Sequence, residues 1–109
     1  MKIKKILPQS VDWGKIPAEK ISGTTGVAEI KKQTVAEIQI RLVEYSKKYF
    51  ADHWCEKGHI LFIVEGDFSL EHSDESVVKL YKGMSYFVGD DSIAHRASSV
   101  DGAKVFIVD

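Results

Sequence analysis

Hydrophobic and polar side chains alternate along several short segments of this chain, and the alternation predicts β-strands. Residues 36–42 carry apolar side chains at every second position, which is typical of a strand with one buried face. This pattern turns Ile38, Ile40 and Leu42 toward the core. Arg41 then lies on the opposite, solvent-facing side. Further alternating or apolar segments lie at 60–65, 68–71, 77–80, 84–88 and 104–108, separated by turn-forming residues at 66–67, 73–76 and 89–92.

Many short strands without a convincing helix predict an all-β fold, either a sandwich or a barrel. The first part of the chain is less regular and contains Pro8, Gly14 and Pro17. We therefore predict that residues 1–25 form a lead-in arm packed on a β-barrel of residues 26–109. Trp13 is the expected anchor of this arm on the core.

The length and composition describe one domain of a soluble globular protein. The chain has 109 residues, of which 44% are hydrophobic and 28% charged. The net charge of -1 and the absence of a Lys/Arg cluster predict no nucleic-acid partner. No apolar segment is long enough to span a bilayer and no signal peptide is visible, so we expect no membrane partner and a cytoplasmic location.

Three of the four histidines and the single cysteine have a spacing that suits metal binding. His53 and Cys55 share one face of an extended segment, and His59 follows after Gly58, which permits a tight reversal. His95 comes just beyond the turn at 89–92. Imidazole and thiolate donors suit Zn, Fe, Ni or Cu and suit Mg or Ca poorly. The alternative is a set of core residues that satisfy one another by hydrogen bonds without a metal.

On these positions the chain resembles the cupins. Counted back from Gly66, the glutamate of the first cupin motif falls on His59, and its two histidines fall on His53 and Cys55. In the second motif the histidine falls on His95. The resemblance implies a single-domain, RmlC-like jelly-roll β-barrel with one divalent transition metal held by His53, Cys55, His59 and His95.

Residues 51–59 also resemble a narrower group of small cupins named for an Asp-His-Cys-Trp (DHCW) motif, whose function is unassigned. This resemblance extends over nearly the whole chain. Cupins commonly pair through sheet edges, so a homodimer is expected, with residues 104–108 as a candidate edge strand.

Several other residues are candidates for lining a pocket or supporting a ligand. Asp52 could accept a hydrogen bond from a ligating imidazole, or be an exposed acid at a strand end. Tyr86 and Arg96 flank His95 and could reach an anionic group of a substrate; the alternatives are packing and a surface ion pair. Glu44 and Tyr45 complete this set. His72 is expected to be exposed beside its turn, and Trp54 to pack on the face opposite the ligands.

Three functions fit these features, and the sequence assigns no catalytic residue. The first is a metal-dependent enzyme acting on a small organic molecule. The second is a non-catalytic module that binds or senses a small-molecule ligand or a metal. In the third, the metal only stabilises a small core.

Overall fold

The computed structural model describes Ile3 and residues 5–109. Apart from a short 3-10 helix (Trp13–Lys15), its regular structure consists of antiparallel strands. These are β1 (Glu19–Ser22), β2 (Val27–Val35), β3 (Ile38–Tyr45), β4 (Tyr49–Phe50), β5 (His59–His72), β6 (Val77–Tyr81), β7 (Ser85–Val88), β8 (His95–Ser99) and β9 (Ala103–Val108). The all-β prediction is confirmed. In the described part of the chain, no helix has the length and apolar character needed to cross a membrane.

Strand β5 belongs to two sheets and joins them into one curled structure. Its first half pairs with β7 and β9, and beyond β9 that sheet continues through β3 and β2 to β1. Its second half pairs with β6 and β8, and β4 pairs with β8. A bulge between Ile63 and Glu65 marks the transition, and Gly66 follows it with a φ of +84°. A side chain at Gly66 would collide with the backbone of Gly102 and Ala103, so only glycine fits where the strand changes sheets.

The core lies between the inner faces of the two sheets. Its largest fully buried side chains are Phe68, Ile63, Val43 and Val105. Burying side chains of this size stabilises the fold by about 1.5–3 kcal/mol each, relative to leaving them exposed. Every second residue of β9 faces this core, and the same alternation holds in each half of β5, with a change of phase at the bulge between them.

The inward face of β3 is the opposite of the one the sequence predicted. Val43 is fully buried, and Arg41, which shares its face, is only 20% exposed. Ile40 and Leu42 lie on the outer face, where they are half-buried. The prediction failed because the outward-facing residues at this end of the sheet are more apolar than the inward-facing ones. Residues 36–37, predicted as the start of a strand, form the turn between β2 and β3, with Ala36 at a φ of 53°.

The predicted lead-in contributes both a contact and a strand. The Trp13 ring packs edge-on against Phe106 on the outer face, with ring centroids 6.5 Å apart, and Lys31 donates a hydrogen bond to the Trp13 carbonyl. Strand β1 lies within this segment and pairs with β2. Residues 1, 2 and 4 of the predicted arm lie outside the described residues. The boundary between arm and barrel therefore stays a prediction.

Strand β9, predicted as an edge strand, lies inside its sheet. It pairs with β3 on one side and with β5 on the other. Its backbone groups are therefore already used and cannot recruit a second chain. The homodimer stays a prediction, but this route to it is wrong.

Candidate metal centre

Three of the four predicted ligands meet at one end of the barrel interior. The side-chain donor atoms of Cys55, His59 and His95 all lie within 4.8 Å of one another. The Cys55 sulfur is 3.4 Å from Nε2 of His59, and the rings of His59 and His95 are 5.1 Å apart at their centroids. Cys55 and His59 are half-buried and His95 is buried.

Backbone hydrogen bonds bring these residues together. Cys55 and His95 form an isolated antiparallel bridge and exchange both backbone hydrogen bonds, at 2.7 and 2.9 Å. His59 is the first residue of β5 and follows Gly58. Gly58 donates its N–H to the Asp90 carboxylate at 2.7 Å, and a side chain there would press on the backbone of residues 88–90. The close approach of two loops thus requires the glycine that the sequence analysis identified.

His95 presents a free nitrogen. Its Nδ1 donates a hydrogen bond to the Ile93 carbonyl at 3.0 Å, which leaves Nε2 as the unprotonated nitrogen. Nε2 is buried and has no hydrogen-bond partner among the described residues. A buried acceptor without a partner is costly unless something binds there.

His59 is held by a carboxylate that the sequence analysis missed. Nδ1 of His59 donates to Oδ2 of Asp109 at 2.8 Å, so Nε2 faces the Cys55 sulfur. Burial lowers the pKa of His59, although the hydrogen bond to Asp109 acts in the opposite direction. The neutral ring required of a metal ligand is therefore favoured. Hydrogen bonds from ligating histidines to carboxylates are common in metal sites.

Asp109 is itself buried and paired. Its side chain is 1% exposed, and Nη2 of Arg41 donates to Oδ2 at 2.7 Å. Lys57 lies at the edge, with Nζ 3.7 Å from Oδ1. The alternation along β9 that buries Val105 and Ile107 also turns position 109 inward, and this was the available signal for Asp109.

The structure does not bring His53 to the other three ligands. Its side chain is 74% exposed, and Nδ1 is 2.7 Å from Oδ1 of Asp52. This hydrogen bond lowers the pKa of Asp52. Asp52 thus pairs with an imidazole, as the sequence suggested, but with one outside the three-residue cluster. His53 borders the same cavity, and its role as a ligand stays a prediction.

A cavity of about 340 Å³ opens beside the cluster. Apolar and aromatic side chains form most of its wall, including Ile21, Ile30, Tyr45, Tyr49, Leu61, Phe68, Leu70 and Ile107. Among the described residues that line it, Asp109 is the only carboxylate. Burial raises the pKa of the Tyr45 phenol, which packs against the rings of Tyr49 and Phe68.

Arg96 borders the cavity, but its charge is already matched. The guanidinium donates two hydrogen bonds to Glu71, at 3.1 and 3.3 Å, and lies between the rings of Phe50 and Trp54. This ion pair is the alternative that the sequence analysis left open for Arg96. Trp54 is 41% exposed and does not line the cavity; that it packs on the face opposite the cluster stays a prediction.

Two of the predicted pocket residues lie outside this cavity. Glu44 is exposed and pairs with Lys104 at 3.3 Å. The Tyr86 hydroxyl is 2.7 Å from Nε2 of His72, and burial raises the pKa of Tyr86. The expectation of an exposed His72 is wrong: it is 8% exposed, and its Nδ1 lies 2.9 Å from the Ser76 hydroxyl. The alternation along β5 carries it inward opposite His95.

The donor set of the cluster fits a transition metal. Two neutral imidazole nitrogens and one sulfur suit Zn, Fe, Ni or Cu, and the unpartnered Nε2 of His95 is the atom that a metal would satisfy. A metal held by these three residues alone would keep coordination positions for water or an organic molecule, as in catalytic rather than structural zinc sites. The molecule is thus an antiparallel β-barrel with a candidate metal centre at one end of its interior.

Comparison with solved structures identifies the fold as that of the RmlC-like cupins. An RmlC-like cupin from Shewanella frigidimarina superposes with a TM-score of 0.70 at 19% identity, over 94% of this chain and 90% of that one. A predicted oxalate decarboxylase from Thermotoga maritima gives 0.73 at 15% identity, over 92% and 96%. Fe(II)-HppE with an alternative substrate gives 0.70 at 16% identity, over 91% and 58%. No protein-family model matches the chain. No curated protein matches its sequence either.

Proposed function

We propose that this chain is a metal-dependent cupin that acts on a small organic molecule in the cavity beside Cys55, His59 and His95. The metal is one of Zn, Fe, Ni or Cu. It would supply Lewis-acid chemistry, or oxygen chemistry if it is a redox metal. The chain itself holds the donor atoms, orients His59 through Asp109 and provides a largely apolar chamber for the substrate.

The observation that carries this proposal is the unpartnered, buried Nε2 of His95. The backbone carbonyl of Ile93 selects the tautomer in which this atom is a lone-pair donor. Nε2 of His59 and the Cys55 sulfur lie close by, and both imidazoles are oriented by hydrogen bonds at Nδ1. The Cys55 sulfur and Nε2 of His59 are within hydrogen-bond distance of each other, but Nε2 of His95 has no partner among the described residues, and a cluster that served only to pack the core would be expected to satisfy that atom too.

The fold supports the same proposal. Among proteins of similar structure, one contains Fe(II) and another is described as a predicted oxalate decarboxylase. The barrel is therefore known to support metal chemistry on small molecules elsewhere. The proposal also includes the resemblance to the DHCW cupins and a cytoplasmic location. In the reducing cytoplasm the single cysteine, Cys55, would remain a free thiol that can bind the metal.

The test is to measure metal content in protein purified without an affinity tag or chelator. We expect about one transition metal per chain, and loss of most of it in the Cys55→Ala and His95→Ala variants. His72→Gln is the matched control, because His72 is also buried but both its nitrogens have protein partners. Wild-type protein that stays metal-free after anaerobic loading with Fe, Ni, Cu and Zn would refute the proposal.

His53→Ala decides between three and four ligands from the chain. Retention of metal would place His53 at the cavity mouth only. Loss of metal, with a normal circular dichroism spectrum, would establish the fourth ligand predicted from the sequence.

One observation favours a second candidate, a binding or sensor module without turnover. The only carboxylate among the described lining residues, Asp109, accepts hydrogen bonds from His59 and Arg41 at Oδ2, and its Oδ1, which has no hydrogen-bond partner among these residues, lies 3.7 Å from Nζ of Lys57. Its charge is therefore already engaged by two cations, and no unpaired carboxylate of the described residues lines the cavity. Screening the metal-loaded protein against small organic acids separates the two functions. Ligand binding without product would favour the module.

A further inference from the structure

More of the charged side chains that line the cavity are cationic than anionic. Its charged lining residues are Arg41, Lys57 and Arg96 against the single carboxylate of Asp109. Glu71 neutralises Arg96 from outside the cavity. Among the side chains of the described lining residues, two cations therefore face one anion, Asp109, whose Oδ1 has no hydrogen-bond partner.

The guanidinium of Arg41 has donors to spare. Of its five N–H groups, one donates to Asp109, and Nε has no partner among the described residues. The side chain is only 20% exposed, so water satisfies it poorly. A planar guanidinium with unused N–H groups is suited to receive a second carboxylate.

Lys57 adds a second cation at the cavity edge. Its side chain is 57% exposed, and Nζ stands 3.7 Å from Oδ1 of Asp109, too far for a direct hydrogen bond. Its ammonium group can therefore turn to an incoming anion while Asp109 remains bound to Arg41 and His59. The side chain remains long and mobile enough for this.

We infer that the cavity binds a small organic carboxylate, with its anionic end held by Arg41 and Lys57 and its apolar body against the barrel wall. The inference rests on the proposed function for the nearby metal. A divalent ion with a Cys55 thiolate would add a further positive charge, and an anionic ligand would balance it. A volume of about 340 Å³ equals that of about ten waters, which limits the ligand to a small molecule.

The test compares benzoate with benzamide, a neutral probe of the same shape, by isothermal titration calorimetry at low salt. We expect benzoate to bind at least about tenfold more tightly than benzamide. Lys57→Gln should weaken benzoate binding several-fold, and Arg41→Lys, which keeps a cation for Asp109 but removes the planar donor group, about tenfold. Lys104→Gln is the charge-matched control, because Lys104 pairs with Glu44 outside this cavity.

Metal content measured on the same samples separates the two proposals. If metal is present and benzoate binds no better than benzamide, the carboxylate inference is wrong and the metal centre stands. If no metal is found, benzoate binding that depends on Arg41 and Lys57 would still support the inference, because neither residue needs the metal to carry its charge. Benzoate binding unchanged in both variants would overturn it.

Discussion

Replacing Asp109 with asparagine tests whether one buried carboxylate supports both the fold and the metal centre. The amide keeps the size of the side chain, and its oxygen can take the place of Oδ2, which faces Arg41 at 2.7 Å and His59 at 2.8 Å, but the negative charge is removed. The Asp109 side chain is 1% exposed and that of Arg41 is 20% exposed, so water cannot replace the lost partner easily. Removing one partner of a buried ion pair costs about 3–5 kcal/mol. Because the amide oxygen can still accept the hydrogen bonds of both Arg41 and His59, we expect the lower end, about 3 kcal/mol.

Urea unfolding of metal-free wild type and Asp109→Asn measures this loss directly. The double variant Arg41→Met, Asp109→Leu is the control, because replacing both charges with apolar groups removes the unpaired cation. It should recover most of the stability, except about 1 kcal/mol for the hydrogen bond that His59 loses. In metal competition assays, Asp109→Asn should bind metal about 10–100-fold more weakly. A stability within about 0.5 kcal/mol of wild type would refute the buried pair.

Three further predictions concern pH, the strand bend and assembly. Burial raises the pKa of Tyr45 above its unfolded value of 10.0, so the folded protein favours the neutral phenol. The free energy of unfolding is therefore undiminished below the unfolded pKa and falls as the pH rises above it. Urea unfolding at increasing alkaline pH should show a shallower loss in Tyr45→Phe, and a wild-type loss in the control Tyr81→Phe, which alters an exposed side chain. Gly66→Ala should cost about 2 kcal/mol or more in thermal unfolding, because it adds a backbone collision to a positive φ, whereas Gly89→Ala, with open space around it, should be nearly neutral. We expect the predicted homodimer to use the outer face, where Phe87 is 72% exposed. Phe87→Glu should therefore yield monomers in sedimentation velocity. A wild-type protein that is itself monomeric would exclude the dimer.

The fold class could be predicted because alternation is a local property of the sequence. The strand at 104–108 and both halves of β5 show clear apolar periodicity and are strands as expected, but the turn predicted at 66–67 is wrong, because β5 runs on through these residues after a bulge. Strand β2 was missed, since residues 27–35 mix charged and apolar positions and neither face is deeply buried. The inward side of β3 was assigned wrongly because the cavity requires Arg41 inside, whereas Ile40 and Leu42 lie on an apolar outer face.

The candidate site could be predicted only where its residues are close in sequence or match a known motif. Cys55 and His59 are four residues apart, and the metal site was predicted from their joint match, with His53 and His95, to the cupin motifs. Asp109 contacts His59 across 50 residues and Arg41 across 68, so no local pattern connects them. Such contacts depend on which strands become neighbours, and this is decided by the packing of the whole barrel.

The bridge between Cys55 and His95 has an evolutionary consequence. These two residues are joined by their backbones, and β5 already links the two sheets as a continuous strand. The barrel can therefore close without relying on any one ligand side chain. If Cys55, His59 and His95 hold a metal as proposed, substitutions at these positions would be expected to change the preferred metal while the scaffold persists. Proteins with this architecture could therefore acquire new chemistry at one end of the barrel while they keep the same fold.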